Sequence, residues 1–182
     1  ATLYTKLQYD TLRDFHGVCQ VATAPVTLVV SPTLGIRTVK ELIALARKQP
    51  GRINFGSSGI GSSTHLRGEQ LRFVADISVT HIPYKGPPEA LGDTMAGRIQ
   101  FLFSPFSSTL PFYRQGRVIV AAISGEQRSP LMPDVPTFNE SGYPEFGNDG
   151  WYGLVVQGRT PKAVMERIAA DVARTLGAPD IV

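Results

Sequence analysis

The chain has no long apolar run: no uninterrupted stretch approaches the roughly 20 residues that cross a bilayer as a helix, which excludes a membrane-spanning helix in this sequence. It has one cysteine, Cys19, set among Val18, Gln20 and Val21. An internal disulfide is therefore excluded, no thiol pair is available to cage a metal, and Cys19 reads as a buried structural thiol. His, Cys, Asp and Glu nowhere fall at metal-ligand spacing, so neither metal nor cofactor is expected. Charge of one sign is also scarce: 18 Lys and Arg against 15 Asp and Glu give a net +3. The basic residues are dispersed (Arg37, Lys40, Arg47, Lys48, Arg52, Arg67, Arg72) without interleaved aromatics, which excludes a nucleic-acid stripe. A mildly basic surface still helps to collect anionic solutes. The opening Ala-Thr-Leu-Tyr-Thr-Lys lacks the basic-then-apolar layout of a signal peptide, so a cytoplasmic chain or a processed or trimmed form is expected, and the missing initiator Met favours trimming. What remains is an ordinary globular balance over 182 residues, 42% hydrophobic and 18% charged, enough for one domain or two small lobes.

Strand-like and helix-like patterns alternate. Val26 to Val30 is a β-branched, buried-strand run. Thr38 caps a helix from Val39 to about Lys48, which Gln49-Pro50-Gly51 ends. A strand at 52–55 runs into a Gly/Ser loop, and a helix follows from about Ser63 to Val74. Strands at 79–84, 100–103 and 118–123 are separated by helices at 88–97 and from Ser107 or Ser108 through Tyr113. A Pro-rich surface crossing carries a short helix at 137–141. Residues 151–157 form a last strand, and Thr160 caps a helix with Pro161 at its first position and Val164, Ile168, Val172 and Leu176 on one face. This alternation predicts an α/β fold with a largely parallel sheet, whose ligands sit at the carboxyl ends of strands against helix N-termini.

The stretch that carries chemistry is the 57–65 loop between a strand and a helix. Gly59 and Gly61 permit sharp turns, Ser57, Ser58, Ser62, Ser63 and Thr64 bring hydroxyls, and the helix start brings free N–H groups and positive dipole. That combination suits a carboxylate or phosphate. Sharper readings fail on spacing: Thr64 stands where a dinucleotide fingerprint needs its third glycine, no lysine makes a Walker loop, and neither Ser57 nor Ser58 has the flanking glycines of a nucleophile elbow. The plain alternative is a capped loop with no ligand. His65 either donates to an anion or satisfies a local carbonyl, and His81, inside a strand, reads as structural.

Two further segments follow strands. Tyr84-Lys85-Gly86-Pro87 offers a charge at Lys85 and a hydroxyl or wall at Tyr84, or else is a turn with a solvated lysine. Ser104, opening Ser104-Pro105-Phe106-Ser107-Ser108, is a third candidate, against the alternative of an ordinary helix cap. In a parallel sheet all three face one cleft. No Ser-His-Asp or paired-carboxylate arrangement stands out, so no enzyme is expected.

These residues resemble the substrate-binding receptors of tripartite tricarboxylate transporters, also called Bug-type receptors. The resemblance rests on Leu3-Tyr4, Tyr9-Asp10 and Asp14-Phe15; on the run from Gly51 through Gly59 and from Gly61 to Leu66; on His81-Ile82-Pro83-Tyr84-Lys85-Gly86; on Arg128-Ser129-Pro130 with Pro133 to Thr137; and on Trp151-Tyr152-Gly153 with Thr160-Pro161. It implies a periplasmic, type II periplasmic-binding-protein-like α/β receptor of two lobes with mainly parallel sheets. Such a receptor closes on a small carboxylate and hands it to membrane permease subunits without catalysis. By position, the carboxylate loop maps onto 57–65, with Thr64 and His65 as direct contacts. The family's N-terminal stretch, with its Pro-Gly-Gly loop, has no counterpart here, so the first lobe is expected to be incomplete. Residues 1–30 and 122–182 are then the partial first lobe and 31–121 the second. Ser104 stands where many members have an aspartate for a ligand amine, which favours a ligand without one. Self-association through the incomplete lobe is expected. The alternative is a truncated or diverged paralogue acting as an interaction or sensing module.

Overall fold

The computed structural model describes residues 6–178; Leu3 and Tyr4 lie outside them. In chain order the elements are α1 (Thr11–Asp14), β1 (Phe15–Ala24), β2 (Val26–Val30), α2 (Val39–Lys48), β3 (Ile53–Ser57), α3 (Ser63–Val74), β4 (Val79–Pro83), α4 (Pro87–Met95), β5 (Phe101–Pro105), α5 (Phe106–Arg114), β6 (Ile119–Ile123), β7 (Gly150–Gln157) and α6 (Lys162–Leu176). Contacts divide them into two units, at Thr23/Ala24 and again at Gly150/Trp151.

The larger unit is an α/β layer built on a five-stranded sheet of order β4-β3-β5-β2-β6. β3 runs parallel to β4 and β5, while β2 is antiparallel to both β5 and β6. Four strands therefore share one direction and β2 opposes them. All five β2 residues are buried, and their alternation splits the core. Leu28 and Val30 join Phe55, Phe101, Phe103 and the apolar stripe of α2 (Val39, Leu42, Ile43, Ala46) on one face. Val29 joins Leu91, Ile99, Leu102 and Val120 on the other.

Local signals explain the boundaries. The Thr38 hydroxyl accepts the Glu41 N–H at 3.2 Å, and the Glu41 carboxylate accepts the Thr38 N–H at 3.0 Å, a reciprocal cap that starts α2. Helix α3 starts where the Ser62 hydroxyl accepts the His65 N–H. At 137–141 the same kind of cap forms between Thr137 and Glu140, yet no helix follows. The chain makes one turn, Ser141 N–H to Thr137 C=O, and leaves it at Gly142 with φ +84°. A short 3-10 turn comes later, at Pro144–Phe146. Helix α6 begins at Lys162, one residue past the expected start, with no side-chain cap.

β2 and β6 are full strands of this sheet. β2 and β6 are hydrogen-bonded into it along their length, so the larger unit extends over 24–150.

The smaller unit comprises the two-stranded sheet of β1 and β7 with α6. Gly150 lies beside the Ala24 carbonyl and the Gly158 N–H donates to that of Asp14, an antiparallel pairing. None of its described residues is buried; Trp151 is 69% exposed and Val155 63%. Val21, Leu154, Ile168, Val172 and Leu176 line an open apolar groove of about 430 Å³ within it. Cys19 is half-buried.

Candidate functional site

β3, β4 and β5 are adjacent and parallel, so their carboxyl ends share one sheet edge. Ser57 closes β3, Tyr84 follows β4 and Ser104 stands near the end of β5. The first two are joined directly, because the Tyr84 N–H donates to the Ser57 carbonyl at 3.0 Å.

The 57–65 loop is held from within. Ser57 is fully buried, and its hydroxyl accepts the Gly59 N–H at 3.1 Å and lies 2.7 Å from His81 Nε2. The Ser58 N–H donates to Thr64 Oγ1 at 3.0 Å. The Ser62 hydroxyl donates to the Gly59 carbonyl at 2.7 Å and lies 3.0 Å from Thr64 Oγ1. The Gly61 N–H donates to His65 Nδ1 at 3.1 Å. Gly59 (φ +111°) and Gly61 (φ +81°) occupy backbone regions that L side chains disfavour. A side chain at 59 would also press on the Tyr84 carbonyl, 3.4 Å from the added Cβ.

These bonds consume the hydroxyls of Ser57, Ser62 and Thr64. The N–H groups of Ser63 and Thr64, in the first turn of α3, have no partner within the helix. They are the donors the loop can present to an anion; Ser58 in the same loop is half-exposed and Ser63 exposed, and the exposed Lys85 follows β4. His65 Nδ1 accepts the Gly61 N–H rather than satisfying a local carbonyl, and Nε2 lies 3.9 Å from Glu69 Oε1.

Tyr84 forms a wall. Its hydroxyl donates to Asp93 at 2.8 Å, and Arg98 holds the same carboxylate. Burial, then Asp93, push its phenol up to about 12. Ser104 is fully buried, with its hydroxyl 3.4 Å from the Pro105 carbonyl and its own carbonyl accepting the Thr27 hydroxyl.

Two contributors escape sequence reading. His81 stacks on His65 with ring centroids 4.0 Å apart and bonds Ser57. Burial pushes its imidazole below the ordinary value; His65 adds to this and Glu69 opposes it. Arg67 donates to the carbonyls of Phe146 and Asn148, pinning α3 to the segment after the Pro-rich crossing. Each partner is more than 15 residues distant in sequence, and the only local signal for His81 is its phase in β4. Among the described residues, no group of His, Cys, Asp and Glu is arranged to hold a metal.

A family model described as the tripartite tricarboxylate transporter family receptor matches residues 1–182. The chain belongs to this family. Its members are periplasmic binding proteins that receive solutes, and the α/β fold is theirs. The UPF0065 protein in the tcbD-tcbE intergenic region of Pseudomonas sp. (strain P51) is 34% identical over 180 residues, 98% of this chain and 54% of that one. Two solved receptors from Rhodopseudomonas palustris have the same architecture. MatC (Rpa3494) with bound malate is 27% identical with a TM-score of 0.88, over 98% of this chain and 61% of that one. Rpa4515 with adipate is 28% identical with a TM-score of 0.87, over 98% and 60%. The chain thus spans little more than half the length of the relatives it matches. Among the described residues no helix is long and apolar enough to cross a membrane.

Proposed function

We propose that this chain acts in the periplasm as a non-catalytic receptor for a small di- or tricarboxylate and delivers it to the membrane permease of a tripartite transporter. The observation that carries the reading is the 57–65 loop. The hydroxyls of Ser57, Ser62 and Thr64 are spent on holding its shape, which leaves the N–H groups of Ser63 and Thr64 at the positive end of α3, with the Ser58 and Ser63 hydroxyls, on the sheet edge that also bears Tyr84 and Lys85. Ser57, Ser58, Gly59, Gly61, Ser62 and His65 shape that cradle, and Ser104 stands near the end of β5 on the same sheet edge. Malate and adipate, bound by two similar receptors, define the ligand class to try first. The larger unit serves as the second lobe of such a receptor and the smaller unit as part of the first.

Thermal unfolding titrated with malate, adipate, citrate and aspartate tests the reading. A true ligand at 100 times its Kd adds about 2.7 kcal/mol of stability. Malate or adipate is expected to outrank aspartate, since Ser104 offers no carboxylate to an amine. Flat curves across the panel would overturn it.

A second reading, an interaction module, draws on the smaller unit, whose apolar groove and exposed Trp151, Tyr152 and Val155 invite cover. We propose that a second copy supplies it. Sedimentation velocity is expected to show a dimer that Trp151→Ser weakens, and a monomer at every concentration would count against it.

A further inference from the structure

The 57–65 loop closes on a histidine lone pair. A neutral imidazole has one N–H and one acceptor nitrogen, and the Gly61 N–H occupies His65 Nδ1 as acceptor at 3.1 Å. The proton of neutral His65 therefore sits on Nε2, toward Glu69. A proton added at Nδ1 would set N–H against N–H and release the loop at Gly61. His81 lies flat on this ring, centroids 4.0 Å apart and planes 28° from parallel, and both rest against Phe55. At that separation a charge on His65 disfavours a charge on His81. His81 Nε2 also holds the Ser57 hydroxyl, which in turn accepts the Gly59 N–H.

Few other charges reach the pair. On α3, Glu69 faces His65 and is itself bound by Arg72 at 2.7 Å. β4 contributes His81 alone, and neither β3, β5 nor the 58–62 segment contains a titratable side chain. Burial also disfavours charge on His81.

We propose that His81 is a positioning residue for the carboxylate loop: through its stack on His65 and its bond to Ser57 it keeps the His65 lone pair on Gly61, so the loop grips a carboxylate less well as the pair takes up a proton. This regulation rests on the reading of the loop as a carboxylate site. It opposes the simplest electrostatic expectation, that a protonated histidine beside an anion tightens binding.

Malate and adipate are titrated calorimetrically into the intact chain from about pH 8 to about pH 6, across the ordinary histidine range, with the ligands' own ionisation corrected. Affinity is expected to fall about fivefold or more on acidification, within the tenfold per pH unit that one linked proton allows. His65→Asn retains an acceptor for Gly61 and does not titrate; it is expected to bind with a flat pH profile. His81→Gln is expected to weaken binding at pH 8 and to shift the profile, whereas a purely structural role would lower affinity equally at every pH. Tighter binding in acid, or an unshifted His81→Gln profile, would overturn the proposal. The Gly61 amide is followed by NMR in the ligand-free chain over the same range. It should titrate in the native chain and not in His65→Asn. If neither acid binds at any pH, the carboxylate reading fails, and a Gly61 amide that ignores pH still overturns the positioning role.

Discussion

Gly68 lies against the face of Phe55. A Cβ at position 68 would fall inside contact distance of three ring carbons, with Cζ at 2.9 Å. The ring cannot retreat easily, because it is fully buried and packs on Phe101 and His81 at centroid distances of 5.5 and 4.9 Å. Helix propensity alone favours Gly68→Ala by about 1 kcal/mol. Overpacking a fixed ring costs about 1–3 kcal/mol, so the expected net effect is destabilising. Urea unfolding measures it, and stabilisation would show that Phe55 has room to move.

Thr64 is the buried centre of the loop. Its hydroxyl takes the Ser58 N–H and meets Ser62. Thr64→Val preserves shape and removes the acceptor, which leaves the Ser58 N–H unpaired at a cost of about 1–3 kcal/mol. Thr64→Ser keeps the oxygen and is expected to keep most of both stability and carboxylate affinity. Thermal melts with and without malate separate the two variants.

Tyr84 spends its hydroxyl on Asp93. Its phenol is held neutral up to about 12, by burial first and then by Asp93. The unfolded chain ionises its tyrosines near pH 10, so the stability Tyr84 contributes is present below that pH and is lost as pH rises toward 12. Ultraviolet titration of phenolate absorbance is expected to show one late component that Tyr84→Phe removes. The same variant should leave malate affinity within about threefold, as befits a wall rather than a donor.

Thr38 anchors α2 at some distance from the sheet edge. Thr38→Ala should cost about 1 kcal/mol, the ordinary value of a lost N-cap. Carboxylate affinity is expected to be unchanged, which makes this the control for the loop variants.

Much of this arrangement is legible in the sequence because its signals are local. The Thr38-to-Glu41 cap, the start of α3 after Ser62 and the buried run of β2 each depend on residues within one turn or one strand. What escapes is non-local. β1 is mostly exposed, so no burial pattern marks it. Five buried residues in a row place β2 in a sheet but do not encode its direction, which its neighbours β5 and β6 set. Thr137 and Glu140 form a genuine cap whose helix Gly142 cuts short. The hydroxyls of the 57–65 loop are visible in sequence as ligand donors, but the geometry spends those of Ser57, Ser62 and Thr64 on the loop itself. The roles of His65 and His81 likewise emerge only when β3 and β4 lie side by side.

β2 also sets an order of events. It precedes both of its partners in the chain, and residues 27 and 30 wait for residues 104 and 101 on one side and for 123 and 119 on the other. No hairpin can assemble this centre early, because each pairing closes a loop of some seventy residues or more. Folding is therefore expected to be slow for a domain of this size. During synthesis the buried run of β2 emerges long before either neighbour, so its apolar side chains stay without strand partners until they follow.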